Sequence, residues 1–278
     1  MIESIEINNY KSIVSTKLDF SFNKRAPKEY KENDLLFFIE KGKKRVVPIL
    51  VCYGSNSSGK STFISGIKTF LSLIKGKEPT SFYYKPNKLD NIFLPTSFFI
   101  TAFGKKEYQY YIRYKDRVEE EWLKEDGTII FRNENSDTPL LRETKGDARK
   151  VLIDSLLVVD SFSLNMNEAF HFYVENSLSK NEEECRERVV ALIRKMDLSI
   201  SDAFSFSRVW KTKHVNKDEE NIYFELNEES EGTKRLFGLV SYILSSLESG
   251  LFLVFDEIDI SLHSIVLSVL QQLYMSIA

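Results

Sequence analysis

Apolar and polar positions follow different periods along the chain, and each period predicts an element. Over residues 2–20 the apolar residues alternate with polar ones, which predicts two antiparallel strands with a turn near Asn8-Asn9. Residues 46–53 form a continuous apolar run around one proline, typical of a strand buried on both faces. The apolar residues that follow recur at helical spacing: Phe63, Ile64, Ile67, Phe70, Leu71 and Ile74.

The middle of the chain predicts a second group of strands. The phrases SFFITAF, EYQYYIRY and GTIIFRN are rich in aromatic and β-branched residues, as strands are. In the second phrase Tyr108, Tyr110, Ile112 and Tyr114 fall on one face. We interpret this stripe as the packed face of a sheet, and a base-stacking platform is the alternative.

A helical pattern follows the strands. It covers residues 147–200 and includes an apolar run at 151–159 and an amphipathic run at 182–197. Residues 207–226 return to a strand pattern. We expect residues 76–206 to form an insertion of strands and then helices.

Composition excludes several classes of protein. The 278 residues are 42% apolar and 28% charged, as in a globular domain, and the net charge of −3 disfavours nucleic-acid binding by the whole surface. Two cysteines and three histidines are too few for a disulfide framework or a four-ligand zinc site. The first residues do not resemble a signal peptide, and no apolar run approaches the roughly 20 residues of a membrane span. We therefore expect a cytoplasmic protein without a membrane partner.

The segment Gly54-Ser55-Asn56-Ser57-Ser58-Gly59-Lys60-Ser61 matches the phosphate-loop pattern G-x-x-x-x-G-K-[S/T]. In such a loop small residues let successive backbone N–H groups surround the phosphates, and the next helix presents its positive end to them. Lysine reaches the β- and γ-phosphates, and the serine hydroxyl is a ligand of Mg²⁺. The candidate nucleotide-binding residues here are Gly54, Asn56, Ser57, Ser58, Gly59, Lys60, Ser61 and Thr62.

The phrase LFLVFDE at 251–257 is an apolar strand that ends in two acids. A buried strand of this kind delivers its aspartate, here Asp256, to the Mg²⁺ beside Ser61. Glu257 is then placed to act as the general base on an attacking water. An edge strand that ends in solvated acids is the alternative, but five large apolar residues in succession disfavour it.

A third motif, ESEGTKR at 229–235, opens an amphipathic helix. Ser230 is a good N-cap residue, and Gly232 leaves room at the helix tip, so the motif predicts a second anion-binding helix start. Gly250 follows the end of the same helix. A capped helix start alone is common. This one is informative because of its position, with Gly232 24 residues before Asp256.

Together these motifs resemble the ABC-type ATPase heads of the SMC/RecF class, and most of all the prokaryotic AAA-type ATPases related to the OLD (overcoming-lysogenization-defect) proteins. The resemblance rests on NYKS at 9–12, GSNSSGKS at 54–61, ESEGTKR at 229–235 and DEIDISLHS at 256–264. It implies an α/β P-loop NTPase of ABC/SMC-head type. We expect a mixed sheet with an N-terminal antiparallel meander and a β/α insertion, all within one head (1–75, 76–206 and 207–278).

The resemblance also implies a mechanism. Two heads would meet head to tail around Mg-ATP, with Lys60 and Ser61 of one protomer opposite the signature residues Ser230, Gly232 and Thr233 of the other. Asp259 would lie near the dimer seam and His263 near the γ-phosphate, although a surface histidine is an equal alternative for the latter. Lys11 would approach the nucleotide, although a solvated strand end is the more common role.

Some features limit these expectations. The family continues with a further core strand and a switch histidine, so we expect a fragment, a head that a partner chain completes, or a reduced version. Asn87-Lys88-Leu89-Asp90 matches a guanine-reading motif, but it lacks the strand context, and we expect adenine.

Partners and rival functions also stay open. The resemblance suggests phage defence or DNA maintenance with an effector nuclease encoded nearby, and nucleic acid remains open as a partner. The rival functions are a binding-only regulatory module and a transporter subunit.

Overall fold

The computed structural model describes residues 1–21, 39–41, 44–46, 50, 52, 58–75, 94–160, 165–196, 199–206, 209–215 and 220–256. The chain divides into two compact units, residues 1–158 and 159–277, with Ala278 grouped with the first. Each unit has its own core, and we describe them in turn.

The first unit is built on an antiparallel sheet with the order β2-β1-β5-β6-β7-β8. Its strands are β1 (Ile2–Tyr10), β2 (Ile13–Asp19), β5 (Thr96–Phe103), β6 (Glu107–Tyr114), β7 (Val118–Glu125) and β8 (Thr128–Ser136). A short hairpin, β3 (Ile39–Lys41) and β4 (Lys44–Val46), forms a separate ladder. The N-terminal meander and the strand phrases of the middle are therefore confirmed.

The first turn lies two residues later than the sequence predicts. Tyr10 pairs with Ile13, so Lys11 and Ser12 form the hairpin turn, and the predicted turn at Asn8-Asn9 is wrong. Lys11 has a φ of 50°, the left-handed conformation that two-residue hairpins require at the turn. Asn9 also has a positive φ, of 54°, but it remains within the strand.

Helix α1 (Lys60–Lys75) packs on one face of this sheet. Its buried residues follow the predicted stripe, with Gly66 and Leu73 added and Ile64 only half-buried. Phe70 contacts the rings of Phe98 and Tyr110 at centroid distances of 5.3 and 5.9 Å. The tyrosine stripe of β6 faces this helix, with Tyr108 2% and Tyr110 0% exposed, so it is a packed face and the base-stacking alternative is wrong.

A buried carboxylate joins the far strands of the sheet to the segment that follows them. Glu121 of β7 is 0% exposed and accepts hydrogen bonds from the Tyr110 hydroxyl (2.8 Å), the Asn133 side-chain amide (3.1 Å) and the backbone N–H groups of Leu140 and Leu141 (2.7 and 2.9 Å). Burial, with Glu121 beside it, raises the pKa of Tyr110 well above its usual value, so this tyrosine stays a neutral donor.

The segment after β8 closes over the end of α1. It contains a 3₁₀ turn (Leu140–Glu143), a helical turn (Asp147–Arg149) and a π-helical stretch (Lys150–Asp154). Arg142 in the first of these donates two hydrogen bonds to the Leu73 carbonyl oxygen, at 3.1 and 2.8 Å. A cation at the last turn of a helix satisfies open carbonyls and complements the helix dipole.

Two predictions about apolar runs need correction. The run 151–159 is not one helix, because it changes to strand β9 (Leu156–Asp160) where two leucines and two valines follow each other. The predicted buried strand at 46–53 is wrong at Leu50 and Cys52, which are exposed and outside any strand. A strand buried on both faces needs neighbours on both edges, and none of the described strands pairs with these two residues.

The second unit packs helices against a small antiparallel sheet of order β10-β11-β12. Its elements are α2 (Met166–Asn176), α3 (Glu182–Met196), β10 (Ile200–Phe206), β11 (Val209–Val215), β12 (Asn221–Glu225), α4 (Glu231–Ser249) and β13 (Phe252–Asp256). Strand β10 begins at residue 200, where the predicted helical pattern ends, so the return to strands comes seven residues earlier than the predicted residue 207. The core centres on Trp210, whose ring lies 4.8 Å from Phe170 and 6.0 Å from Phe237.

A second buried acid fixes the end of α4. Glu248 accepts hydrogen bonds from the Tyr173 hydroxyl and from Arg188, both at 2.6 Å, and from the Leu178 N–H at 3.0 Å. Burial alone would raise the pKa of Glu248, but these hydrogen bonds outweigh it and lower the pKa.

In the part of the chain that the structure describes, no helix combines the length and apolar character that crossing a bilayer requires.

We predict that Glu121→Gln lowers the free energy of unfolding by about 2–4 kcal/mol. The amide nitrogen cannot accept a hydrogen bond, so buried donors lose their acceptor at about 1–3 kcal/mol each. Glu134→Gln is the matched control, because that side chain is 55% exposed and its surface ion pair contributes at most about 1 kcal/mol. Urea denaturation measures both, and equal losses for the two variants would contradict the role given to Glu121.

Candidate functional site

The described part of the phosphate loop lies in the first unit, at the start of α1. Gly59 has a φ of 96°, a left-handed conformation that suits glycine, and its carbonyl accepts the first helical hydrogen bond, from the Phe63 N–H at 2.9 Å. The Lys60 side chain reaches back along the loop, with Nζ 3.2 Å from Ser58 Oγ. Ser61 is exposed and Thr62 half-exposed.

The electrostatics of this helix start favour an anion. The first turn of α1 contains no acidic residue, so the helix itself supplies no carboxylate that would oppose the positive end of its dipole. Lys60 adds a cation at the same end. At the other end, the last turn contains Lys75, and Arg142 donates a hydrogen bond to the Leu73 carbonyl oxygen. This arrangement fits a phosphate group, and the small residues Ser58 and Gly59 leave room for it.

The β1–β2 turn contacts α1 one helical turn beyond the phosphate-binding residues. The Tyr10 hydroxyl lies 2.9 Å from both Ser65 Oγ and Thr69 Oγ1. Lys11 Nζ donates to Ser65 Oγ at 2.8 Å and lies 5.3 Å from the centre of the Tyr10 ring. Since residues four apart lie on the same side of a helix, Lys11 is held on the side of α1 that carries Ser61.

The signature residues lie in the second unit, at the start of α4. Ser230 is the N-cap, as predicted, and its Oγ accepts the Thr233 N–H at 3.1 Å and lies 2.9 Å from Thr233 Oγ1. Thr233 is buried, whereas Ser230 is exposed and Gly232 half-exposed. Gly250 ends the helix with a φ of 72°, also as predicted.

An acid that sequence reasoning passed over anchors this helix start to the sheet. Glu229 accepts a hydrogen bond from Thr212 Oγ1 and lies 2.6 Å from His214 Nε2, and its side chain is only 11% exposed. Thr212 and His214 are neighbours on one face of β11, two residues apart, and this spacing was the available signal. Their contacts fix the residue immediately before the N-cap.

The other acid of the signature is also compensated. Glu231 forms an ion pair with Lys234 at 2.9 Å, and this hydrogen bond lowers the pKa of the Glu231 carboxyl. Because Glu229 is bonded to His214 and Glu231 to Lys234, the carboxylates on either side of Ser230 have partners of their own. The Lys234 cation thus offsets one of the two negative charges beside the exposed tip of the helix.

Strand β13 carries the candidate metal ligand Asp256 at its last position, as predicted. Its residues are half-buried rather than buried, which corrects the expectation of a strand enclosed on both faces.

Several predicted residues lie outside the described residues: Gly54, Asn56, Ser57, Glu257, Asp259 and His263, and the motif at 87–90.

Solved structures identify the class of the fold. The chain matches an SMC head bound to the C-winged helix domain of ScpA with a TM-score of 0.54 and 14% identity, over 99% of this chain and 86% of that one. It matches the SMC head domain from Thermotoga maritima with a TM-score of 0.51 and 13% identity, over 99% and 84%. The protein therefore has the fold of an SMC-type P-loop ATPase head.

A family profile gives the more particular assignment. The family described as "AAA domain, putative AbiEii toxin, Type IV TA system" matches residues 49–274, which is most of the chain. The chain belongs to this family, and it is an ATPase head of AAA/SMC type. Among curated proteins, none matches the chain.

We predict that Ser230→Ala lowers the free energy of unfolding by about 1 kcal/mol, the usual contribution of an N-cap hydrogen bond. Ser230→Asn is the matched control, because asparagine also accepts the Thr233 N–H and should retain nearly all of the stability. Chemical denaturation of both variants measures the difference. A Ser230→Asn variant as unstable as Ser230→Ala would contradict the capping role.

Proposed function

We propose that this protein binds and hydrolyses Mg-ATP, and that the nucleotide controls the pairing of two copies of the head. The observation that carries the proposal is the start of α1, where Lys60, exposed Ser61 and a left-handed Gly59 meet the positive end of a helix whose first turn contains no acidic residue. The family profile, which covers both the phosphate loop and the Asp256 strand, supports it.

Each predicted residue has a role in this proposal. The N–H groups of the loop from Gly54 to Gly59 and the first turn of α1 bind the phosphates, and Lys60 neutralises the β- and γ-phosphate oxygens. Ser61 and Asp256 would be the protein ligands of Mg²⁺. Bound Mg²⁺ would neutralise part of the negative charge of the triphosphate.

Hydrolysis requires a base and a second protomer. Glu257 orients the attacking water and accepts its proton, and His263 lies near the γ-phosphate in the same proposal. Ser230, Gly232 and Thr233 present the dipole of α4 to the nucleotide on a second copy of the chain. Lys234 supports this role, because its ion pair with Glu231 offsets one of the two carboxylates beside the helix start.

The biological role follows by analogy of family. The description of the matching family names a putative AbiEii toxin and a type IV TA system. On this basis we propose a role in defence against phage together with a separate effector. We propose that ATP binding and release report the state of the head to that effector. A nuclease is the effector class that we favour.

We predict that Lys60→Ala abolishes measurable binding of Mg-ATP, because the triphosphate loses its main cation. Lys68→Ala is the matched control, because Lys68 lies two turns further along the same helix. This variant should bind Mg-ATP with the affinity of the unchanged protein. Isothermal titration calorimetry measures both affinities.

Glu257→Gln should keep the affinity for Mg-ATP and slow phosphate release by at least about 100-fold, the usual contribution of a general base.

Three outcomes would contradict parts of this proposal. Equal affinities of the two lysine variants would overturn nucleotide binding at this loop. Phosphate release that does not change in Glu257→Gln would leave a binding-only regulatory head. In light scattering, a Glu257→Gln protein that stays monomeric in saturating Mg-ATP would contradict nucleotide-dependent pairing.

A further inference from the structure

A largely buried polar cluster joins the small sheet of the second unit to the start of α4. It consists of Thr212 and His214 on β11 and of Glu229, whose Oε1 atom contacts both of them. Thr212 is 0% exposed, and the side chains of Glu229 and His214 are 11% and 19% exposed. Polar groups withdrawn from water are costly unless they are bonded, so these contacts favour one arrangement of the three side chains. Together they form the Glu229 anchor.

The contacts of the anchor have a defined direction. A carboxylate oxygen only accepts hydrogen bonds, so the Thr212 hydroxyl and the imidazole Nε2–H of His214 are the donors. The His214 ring lies 5.3 Å from the ring of Phe224 at an angle of 85°, an edge-to-face contact that favours one orientation of the imidazole. Trp210, two residues before Thr212 on the same face of β11, is buried in the core. The anchor therefore begins at the packed face of the sheet.

The start of α4 lacks two common devices that set how a chain enters a helix. A hydrophobic staple needs apolar residues just before the N-cap and four residues after it, and these positions hold Glu229 and Lys234. A capping box needs Glu or Gln three residues after the N-cap, and this position holds Thr233. Ser230 caps the helix, but its bond to the Thr233 N–H acts within the helix. The bonds of Glu229 to β11 take the place of the missing devices.

The connection from the sheet to the anchor is short and has hydrogen bonds of its own. A 3₁₀ turn (Leu226–Glu228) follows β12, and it begins with a capping box between Glu225 and Glu228. The Glu229 N–H donates to the Leu226 carbonyl oxygen at 3.2 Å, and the turn contacts β11. Glu229 is thus tied to the sheet through its main chain and through its side chain. A shift of β11 relative to α4 has to displace Glu229 or break its bonds.

We propose that His214 is a positioning residue for the signature helix, and that β11 controls the pairing of two heads through the Glu229 anchor. The inference rests on the proposed function, in which Ser230 and Gly232 meet the nucleotide on a second copy of the chain. Ser230 directly follows Glu229, so the bonds of Glu229 set where the cap and the first turn of α4 lie. Lys60 belongs to the first unit and His214 to the second, so pairing is regulated at the sheet separately from nucleotide binding.

A purely structural role is the alternative, and the two roles predict different results. An anchor that only adds stability lowers the free energy of unfolding and leaves the pairing of folded molecules unchanged. A positioning anchor changes the start of α4 and weakens pairing of molecules that are still folded. Two replacements of His214 separate these roles, because leucine removes the donor, whereas the glutamine amide nitrogen replaces Nε2 as a donor.

The test compares His214→Leu with His214→Gln in the full chain carrying Glu257→Gln, which is the reference protein. Light scattering in saturating Mg-ATP measures pairing, and calorimetry measures the affinity for Mg-ATP. We expect His214→Leu to raise the dissociation constant of the pair about tenfold or more, because each copy must present an ordered helix start. The affinity for Mg-ATP should stay equal to that of the reference, and amide exchange without nucleotide should become faster in peptides covering 229–233. His214→Gln should restore pairing and exchange.

Two further variants complete the test. Thr212→Val removes the other donor at nearly constant shape and should weaken pairing in the same way, so it decides the matter if His214→Leu does not fold. His171→Leu is the matched control, because His171 also lies near a glutamate, Glu175 at 3.1 Å, but is 76% exposed on α2 of the same unit. This variant should pair as the reference protein does.

The outcomes separate this inference from the proposed function. Pairing in His214→Leu and Thr212→Val that equals the reference, a loss that His214→Gln does not restore, or an equal loss in His171→Leu would overturn the role of the anchor alone. Unchanged amide exchange at 229–233 in His214→Leu would also overturn it, whether or not nucleotide binds. A reference protein that stays monomeric in saturating Mg-ATP would overturn the proposed pairing, and the control of pairing by β11 with it.

Discussion

The close approach of α1 to strand β1 is the contact on which the position of the candidate phosphate-binding residues depends. At Gly66 an added Cβ would lie 2.8 Å from Ile7 Cδ1 and 3.3 Å from the Tyr10 ring, so only glycine allows this packing without a shift. Tyr10 then fixes the helix through its hydroxyl contacts with Ser65 and Thr69. Since α1 is a rigid rod, holding its middle also holds Lys60 and Ser61.

In the second unit, hydrogen bonds of two acidic side chains hold helix α4 in position. The start of α4 is held by Glu229, which is bonded to Thr212 and His214, and its end is held by Glu248 with Tyr173 and Arg188. Both acids are largely buried and bonded, so they position the helix rather than present charge to solvent. In each unit, therefore, a candidate anion-binding helix is fixed by side chains from other elements of the same unit.

Structure could be predicted from the sequence most accurately where the spacing of apolar residues and a sequence motif indicated the same element. The stripe of α1, the Ser230 cap and the packed tyrosines of β6 follow from spacing alone, because burial selects one face of each element. Strand β10 and the change to strand within 151–159 could not be read in this way, since a short apolar run has no distinctive period. The partners of Glu121 and Glu229 lie 11 to 20 residues away along the chain. Alternation places Thr212 and His214 on one face of β11, but it does not say which acid they meet.

The proposed function requires one Mg-ATP to engage both Ser61 at the start of α1 and Asp256 at the end of β13. Amide hydrogen exchange, followed by mass spectrometry with and without Mg-ATP, tests this directly. The account predicts slower exchange in peptides covering residues 58–63 and, at the same nucleotide concentration, in peptides covering 252–256. Protection confined to one of these two segments, or absent from both at saturating nucleotide, would contradict it.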